Sequence, residues 1–375
     1  MARNHPKPTT IDLFAGVGGM SLGATRAGFD LKAAVEWDSI ALATHSINFP
    51  QSVHLANDVG ALSGKELLSK AGLSTRLDGL IGGPPCQGFS NIGKRVVDDP
   101  RNSLFGHFFR LVREIKPKFF IAENVPGVLA ERNHETVSAA LESLPKTYVL
   151  IKPQEVQAHQ MGAATYRSRV FFIGYDPEAI NALDAESLFA AIRDSQVNVG
   201  EALKGLPLVR DDWQTEEQGW RKVKFSGRST YFHDRLKAAV PDGVGCQSSL
   251  KNLNEHGLVS GNLGTKHTED VMRRFNEVVP GTTDPISRAP RLRADGLCPT
   301  LRAGTASDRG SFQAVRPIHF KYPRVITPRE AARLQGFPDW FQFHETKWHS
   351  FRQIGNSVSP MVAEAILRRI GQRLV

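Results

Sequence analysis

Cysteine is scarce in this sequence, with three residues in a chain of 375. Cys86, Cys246 and Cys298 lie far apart, have no metal-ligand spacing and are too few for a dense disulfide framework. We therefore expect no metal site. A cysteine in an unusual local setting is then worth examining as a reactive group.

Long apolar runs are also lacking. No stretch approaches the roughly 20 apolar residues that span a bilayer, and the polar residues 1–10 have no apolar core of the kind a signal peptide needs. Hydrophobic residues make up 41% of the chain and charged residues 23%, which is ordinary for a soluble globular protein. We expect a cytoplasmic protein without membrane contacts, built as one large domain or two ordinary ones.

An excess of positive charge is missing from the first half of the chain. Residues 1–200 hold 20 Lys/Arg and 20 Asp/Glu, so the whole net charge of +9 belongs to residues 201–375. Residues 221–237 alone contain six basic side chains against one acidic side chain, Asp234. This distribution favours a polyanionic partner for the second half. A basic surface that serves only solubility explains it about equally well.

Short apolar runs alternate with helical patterns over the first 185 residues. Helical spacing is found at residues 20–27, 105–115 and 134–144. The predicted strands cover residues 9–14, 31–35, 77–81, 118–122 and 170–174. This alternation predicts an α/β fold with a doubly wound, mostly parallel sheet.

The alternation fades after residue 185, where Gly, Pro, Ser and basic residues follow without a clear period. Regular signals return at residues 327–334, where Thr327 is a predicted N-cap with Pro328 at the first helical position. A final amphipathic helix is predicted over residues 360–369. We predict one regular domain of residues 1–185 plus 345–375, and a second, smaller and irregular domain of residues 186–344.

A glycine-rich turn at residues 15–19 joins the first predicted strand to the first helix. Glycines let the backbone approach a ligand, and a helix N-terminus favours negative charge. Glu36 ends the second strand, twenty residues after Gly16, where an acidic residue would bind ribose hydroxyls. A nucleotide-type site is indicated, but Ser21 replaces the third glycine of a dinucleotide fingerprint, so a hydride-transfer enzyme is not favoured. A turn needed only for packing remains an alternative.

Cys86 follows a predicted strand, within the run Gly-Gly-Pro-Pro-Cys-Gln-Gly-Phe-Ser at residues 82–90. The prolines hold an extended approach and the glycines leave room for a ligand, so this is a poor position for a buried structural cysteine. A thiolate nucleophile is favoured. Glu123 ends another strand, and the carboxyl ends of parallel strands meet at the ligand-binding edge of the sheet. The two residues are therefore expected to face one pocket.

Six sequence blocks stand in the order that resembles the DNA cytosine-C5 methyltransferases of bacteria. The blocks are Asp-Leu-Phe-Ala-Gly-Val-Gly-Gly (12–19), Pro-Pro-Cys-Gln-Gly-Phe-Ser (84–90), Glu-Asn-Val (123–125), Arg-Ser-Arg (167–169), Thr-Pro-Arg-Glu-Ala-Ala-Arg-Leu-Gln-Gly-Phe-Pro (327–338) and Gln-Ile-Gly-Asn-Ser-Val (353–358). The resemblance covers residues 9–175 and 295–370. It implies a Rossmann-like methyltransferase fold in which the regular domain is catalytic and residues 186–344 form the target recognition domain and hinge.

The resemblance implies S-adenosylmethionine as cofactor. Glu36 would take the ribose hydroxyls, Trp37 would lie against adenine, and Asp58 would accept a hydrogen bond from the adenine amino group. The implied cofactor-binding residues are Phe14, Gly16, Gly18, Glu36, Trp37, Asp58, Val59, Pro85, Leu104, Asn356 and Ser357.

The resemblance also implies catalytic roles. Cys86 would attack C6 of cytosine, and Glu123 would bind the N3 edge in protonated form. Arg169 would contact the base oxygen, while Arg167 and Ser90 would contact phosphate. Thiolate addition at C6 makes the poorly nucleophilic C5 resemble an enamine carbon, which can take a methyl group. Because these atoms are closed off inside a duplex, the base must be flipped out.

Double-stranded DNA is the implied partner of a protein expected to be a monomer, and a cognate restriction endonuclease is a candidate partner in the same cell. Residues 174–298 correspond to the variable recognition region, in which a helix is predicted over residues 266–281. Its Phe275 is expected in a core rather than as a base wedge. One departure is Thr165, which stands where the family usually has the glutamine of Gln-x-Arg-x-Arg. Both arginines of that block remain, so activity is expected.

Three alternatives compete with this interpretation. A tRNA cytosine methyltransferase has the same scaffold, but its eukaryotic relatives usually have threonine after the phenylalanine of the cysteine loop and a short recognition region. Phe89-Ser90 and the long region here favour DNA. A nicotinamide-dependent oxidoreductase leaves Cys86 and Glu123 unexplained. The presence of both residues also argues against an inactive DNA-binding module.

Overall fold

The computed structural model describes residues 6–85, 102–209, 217–224, 229–304 and 315–375. The strands are β1 (Thr9–Leu13), β2 (Asp30–Val35), β3 (Val53–Leu55), β4 (Gly79–Gly82), β5 (Phe119–Asn124), β6 (Val149–Gln157), β7 (Thr165–Tyr166), β8 (Ser168–Tyr175), β9 (Arg221–Lys222), β10 (Leu258–Val259) and β11 (Cys298–Pro299). The helices are α1 (Gly19–Arg26), α2 (Ser39–Asn48), α3 (Gly64–Lys70), α4 (Asn102–Ile115), α5 (His134–Glu142), α6 (Ala185–Phe189), α7 (Val199–Ala202), α8 (Tyr231–Lys237), α9 (Gln247–His256), α10 (Glu269–Glu277), α11 (Pro328–Leu334), α12 (Lys347–Asn356) and α13 (Pro360–Gly371).

A seven-stranded sheet has the order β3-β2-β1-β4-β5-β8-β6. β1 pairs in parallel with both β2 and β4, and β4 pairs in parallel with β5. β8 runs antiparallel to both β5 and β6. The predicted α/β class and mostly parallel sheet are confirmed. Because the strand order reverses between β1 and β4, a ligand crevice is expected at their carboxyl ends.

Helices cover both faces of this sheet. On one face, α1 and α13 pack against the strands through Met20, Ala24 and Ile366. On the other face, α4 contributes Phe105 and Phe108 to a core that also includes residues of α3 and α5. A strand covered on both faces needs apolar residues on both faces. This explains why every residue of β5 is buried.

The C-terminal helix completes the sheet domain. A side chain at Gly23 of α1 would overlap Ala363 of α13, so the two helices approach at backbone distance. Burial of Val362 and Leu367 then requires this last segment of the chain to return to the first helix. The last helix of the chain therefore packs directly on the first.

The remaining segments form smaller layers around α11 and α12. Thr327 caps α11 in a capping box with Glu330, and Pro328 occupies the first turn, as predicted. Phe337 and Phe341 pack in a core that also contains Phe49 of the sheet domain. The irregular region is thus joined to the sheet domain by a shared core.

A fourth, small core contains Phe275 of α10. Phe275 is buried with Val278 and Ile318, which confirms the interpretation that it packs in a core. The helix is shorter than predicted because Thr268 caps its start and the chain leaves helical geometry at Val278. In the described ranges, no helix has both the length and the apolar composition needed to cross a bilayer.

Candidate active site

The turn between β1 and α1 presents backbone to the crevice. Phe14, Gly16 and Gly18 have φ values of 57°, 55° and 95°, a region that favours glycine. A side chain at Gly18 would overlap the Phe49 ring and lie 3.0 Å from His45, whereas a Cβ at Gly16 would have no described heavy atom within 4 Å. The floor of the turn is therefore packed, while the side at Gly16 is open to a ligand.

Glu36 ties this turn to the end of β2. Its carboxylate accepts hydrogen bonds from the amides of Gly16 and Asp38, each 2.8 Å long. Burial raises the pKa of Glu36, and these amide hydrogen bonds oppose that effect. The acidic residue expected at the ribose thus also holds the glycine turn in place.

A cleft of about 1180 Å³ opens where the chain leaves β1, β2, β4 and β5. The Trp37 side chain forms part of its wall and is 75% exposed. Gly18 lies in the turn beside the cleft. The other predicted cofactor residues all line it: Phe14, Gly16, Glu36, Trp37, Asp58, Val59, Pro85, Leu104, Asn356 and Ser357. The structure therefore gathers the sequence blocks from both ends of the chain around one space.

Glu123 and Arg169 form an ion pair in the same cleft. Arg169 Nε lies 2.6 Å from Glu123 Oε1, and both side chains are largely shielded from solvent. They come from the adjacent strands β5 and β8. A Cβ at Gly83 would lie 3.1 Å from Glu123 Oε2, so the glycine keeps that oxygen approachable. The pair presents one carboxylate and one guanidinium group to the cleft.

The chain that leads to Cys86 is held beside this pair. Asn124 Nδ2 donates to the carbonyl of Pro84 at 3.3 Å, and Pro84 and Pro85 line the cleft. Cys86 itself and Ser90 lie outside the described residues. The sequence-based prediction for both residues stays a prediction.

Arg167 has surroundings that differ from those expected. The side chain is 2% exposed, and its guanidinium donates to the carbonyls of Ser357 at 2.7 Å and Leu301 at 3.4 Å. A cation that is shielded from solvent and bonded to carbonyls holds chain segments together, which does not fit the expected phosphate contact. Thr165 is also buried, and its hydroxyl donates to the Cys298 carbonyl at 3.0 Å.

A chain of hydrogen-bonded polar side chains beneath the glycine turn, three of them buried and His54 half-buried, was not anticipated. Ser21 Oγ lies 2.6 Å from Asp12 Oδ2 and 2.9 Å from His45 Nε2. His45 Nδ1 in turn lies 2.9 Å from His54 Nε2. Burial raises the pKa of Asp12 to about 7 and lowers the pKa values of His45 and His54. Short-range sequence patterns carry no signal for this chain, because its members lie on β1, α1, α2 and β3.

Other cleft residues were also missed. His107 of α4 and His349 of α12 line the cleft, as does Arg302. Arg352 of α12 also lines it and pairs with Asp38, with Nη1 3.0 Å from Oδ2. Helical spacing places His349 and Arg352 on one face of α12. That spacing is the one sequence signal for His349 and Arg352.

The side chains of the basic cluster at residues 221–237 have different surroundings in the structure. Lys222 and Lys224 are exposed. Arg235 instead donates to Glu364 Oε1 at 2.6 Å, and its carbonyl accepts from Arg26 at 2.9 Å. Arg26 ends α1, about 12 Å along the helix from the glycine turn. Arg235 therefore anchors α8 to the sheet domain, so this member of the basic cluster is held in a contact within the protein. Arg228 lies outside the described residues.

The described part of the chain contains no group of three or more His, Cys, Asp or Glu side chains placed to hold a metal ion.

Comparison with known proteins gives a consistent result. A family model described as C-5 cytosine-specific DNA methylase matches residues 8–372. The type II methyltransferase M.XorII of Xanthomonas oryzae pv. oryzae is 42% identical over 96% of this chain and 84% of its own length. M.DdeI of Desulfomicrobium norvegicum, also a type II methyltransferase, is 32% identical over 96% of this chain and 88% of its own.

Solved structures show the same fold. A candidate DNA modification methyltransferase encoded within an E. coli prophage is 46% identical, with a TM-score of 0.86 over 96% of this chain and 97% of its own. The Dnmt2 methyltransferase of S. pombe is 18% identical, with a TM-score of 0.62 over 97% of this chain and 98% of its own, a likeness of fold alone. Since the family model matches nearly the entire length, this chain belongs to the C-5 cytosine-specific DNA methylase family.

Proposed function

We propose that this protein methylates C5 of cytosine in a specific sequence of duplex DNA, using S-adenosylmethionine, base flipping and covalent addition of Cys86. The observation that carries the proposal is the Glu123–Arg169 pair. It faces the same cleft as the glycine turn and lies beside the proline segment that leads into Cys86. The acid and the proposed cofactor site thus share one sheet edge with the segment that leads to the proposed nucleophile.

The cleft residues fit the proposed cofactor. Glu36 offers a carboxylate to the ribose hydroxyls, Trp37 offers an exposed ring face to adenine, and the open side of Gly16 admits a ligand to the backbone. Asn356 and Ser357 also line the cleft. When bound, S-adenosylmethionine supplies the methyl group that C5 accepts.

Each of these side chains has a separate role in the proposed reaction of the base. The Cys86 thiolate forms a bond to C6, and the electron pair of the C5–C6 double bond shifts toward C5 and the N3 edge. Before the base binds, Glu123 is ion-paired with Arg169. When the base binds, Glu123 takes up a proton and donates it in a hydrogen bond to N3, which stabilises that charge. Arg169, held 2.6 Å from Glu123, fixes the carboxyl and reaches the base oxygen. Once C5 has taken the methyl group, a base removes the C5 proton. The electron pair of that C–H bond re-forms the C5–C6 double bond as the C6–S bond breaks and the thiolate leaves.

We propose that the recognition of the DNA sequence belongs to the irregular region, residues 186–344, with a catalytic domain of residues 1–185 plus 345–375. The two relatives named above are type II methyltransferases. We therefore also propose a cognate restriction endonuclease in the same cell, and a monomer that acts in the cytoplasm, where the chromosome of a bacterium is found.

Transfer of labelled methyl groups from S-adenosylmethionine to duplex DNA and to tRNA tests this function. We expect label in DNA only. Bisulfite sequencing of a host that expresses the protein should then show one methylated sequence. Label in tRNA alone would identify the related tRNA activity, and label in neither would contradict the proposal.

A further inference from the structure

His107 occupies the end of the cleft at which Asp58 lies. It stands on α4 three residues after Leu104, so both side chains project from the same face of the helix. His107, Leu104, Asp58 and Gly60 all line the cleft. The sequence predicts Leu104 and Asp58 as cofactor-binding residues, but it assigns no role to His107.

The ring of His107 is held in one tautomer by Arg110. Arg110 Nε donates to His107 Nδ1 at 3.2 Å. A guanidinium nitrogen can only donate, so Nδ1 must accept and the proton of the neutral ring must be on Nε2. Arg110 is itself fixed, because it donates to the carbonyls of Val59 and Leu62 at 3.0 and 2.8 Å and pairs with Glu114 at 2.8 Å. The imidazole therefore presents a positioned N–H donor.

That donor points to the space beside the Asp58 carboxylate. A Cβ at Gly60 would lie 3.2 Å from His107 Nε2 and 3.2 Å from Asp58 Oδ1. The absence of a side chain at Gly60 thus leaves a donor and an acceptor facing the same small volume. Asp58 Oδ1 already accepts from the Gly60 amide at 2.8 Å, which fixes the carboxylate. Among the residues that the structure describes, no hydrogen-bond partner occupies His107 Nε2.

We propose that His107 is a cofactor-binding residue that recognises the adenine ring. Its Nε2 donates a hydrogen bond to one of the two ring nitrogens that flank the 6-amino group. An adenine offers a donor at the 6-amino group with an acceptor on either side, N1 and N7. Asp58 and His107 supply the complementary acceptor and donor. A 6-oxo purine would place an oxygen against the Asp58 carboxylate, so the pair also selects the amino purine. The inference rests on the proposed S-adenosylmethionine site.

Titration calorimetry with S-adenosylhomocysteine and its 1-deaza and 7-deaza analogues tests the contact. The wild-type protein should bind the parent ligand and lose about tenfold in affinity for the one analogue that lacks the contacted nitrogen. His107→Leu should lose about tenfold for the parent ligand and bind that analogue no more weakly than the parent. His107→Gln, which keeps a donor near the position of Nε2, should restore most of the affinity. His134→Leu, on the exposed start of α5, is the matched control.

The outcomes separate this inference from the proposed function. Unchanged affinity of His107→Leu for the parent ligand would overturn the contact. Weaker binding by His107→Leu with the same deaza penalty as the wild type would also overturn it, because the histidine would then act only on local structure. Failure of the wild type to bind the parent ligand would instead contradict the cofactor site itself. Thermal unfolding of each variant confirms that a loss of affinity is measured on folded protein.

Discussion

At the residue scale, the nucleophile is the first assignment to test. Cys86→Ser replaces the thiolate with a hydroxyl that is far harder to ionise, so turnover should fall by roughly 10³-fold or more. Binding of S-adenosylmethionine and DNA should persist. A duplex that carries 5-fluorocytosine should trap a covalent adduct with the wild type only.

The chain offers a matched control for this substitution. Cys246 is buried at the N-cap of α9, where serine is a favoured residue. Cys246→Ser should therefore keep normal turnover. Near-normal activity of Cys86→Ser would remove Cys86 from the mechanism, whereas equal losses in both variants would indicate a general effect of removing a thiol.

Asp12 gives a pH-dependent prediction at the same scale. Burial raises its pKa from 3.8 to about 7, so between these values the folded protein keeps a proton that the unfolded chain has released. Its contribution to stability is therefore fully present below pH 3.8 and is lost as the pH rises toward 7. The groups that face it are Ser21 of α1, which donates to it, and Glu36, which follows β2 and whose charge opposes its ionisation.

Asp12→Asn removes this titration while keeping a similar shape. Relative to the wild type, the variant should gain stability between pH 5 and pH 8, by on the order of 1–3 kcal/mol. Urea unfolding at several pH values measures the difference. A difference that stays constant over this range would mean that Asp12 is ionised throughout, with Ser21 donating to it.

The sequence was sufficient to predict those candidate site residues that lie next to a strand end. Glu36, Glu123 and the glycine turn follow apolar runs, and the sheet edge then brings them together. It was insufficient for side chains whose partners are distant in the chain. Arg235 pairs with Glu364 across a separation of 129 residues, and no local pattern distinguishes it from Lys222.

At the element scale, the capping box of α11 is the clearest local signal that proved correct. Thr327 is buried, and its hydroxyl accepts a hydrogen bond from the Glu330 amide. The Glu330 carboxylate accepts a hydrogen bond from the Thr327 amide and also pairs with Arg324. Thr327→Ala should therefore cost about 1–2 kcal/mol of unfolding free energy, measured by urea denaturation.

Thr268, which caps α10, is a control of the same residue type. It is exposed and accepts from the Val271 amide at 3.4 Å, a long hydrogen bond. Thr268→Ala should cost less than Thr327→Ala. Equal losses would show that burial and the second half of the box add nothing to the cap of α11.

Elements without a clean period were missed for physical reasons. β6 lies at the edge of the sheet, and Pro153 coincides with a shift in its pairing with β8 between Ile151 and Gln154. An edge position tolerates proline, which lacks the amide for a ladder. The resulting sequence neither alternates nor stays apolar, so it gave no strand signal. The short helices of the irregular region likewise depend on packing against distant segments.

At the scale of the whole molecule, only part of the positive charge in the second half of the chain is available to DNA. The net positive charge lies entirely after residue 200, yet part of it serves structure. Arg324, Arg329 and Arg333 are buried around α11, where they bond to Glu330, to backbone carbonyls and to Asp339. Such cations cannot meet a phosphate. The charge available to DNA must come from exposed side chains such as Lys222 and Lys224.

Lys222 and Lys224, changed together to alanine, should weaken binding to specific and unrelated duplexes alike. Phosphate contacts carry no sequence information, so the ratio of the two affinities should persist. The slope of log affinity against log salt should fall by roughly one unit for each phosphate that is no longer neutralised. Lys65→Ala with Lys70→Ala, exposed on α3, makes the same charge change far along the chain and should leave the slope unchanged. If the Lys222 and Lys224 variant no longer discriminated between duplexes but kept its salt slope, these lysines would bind base edges instead of phosphates.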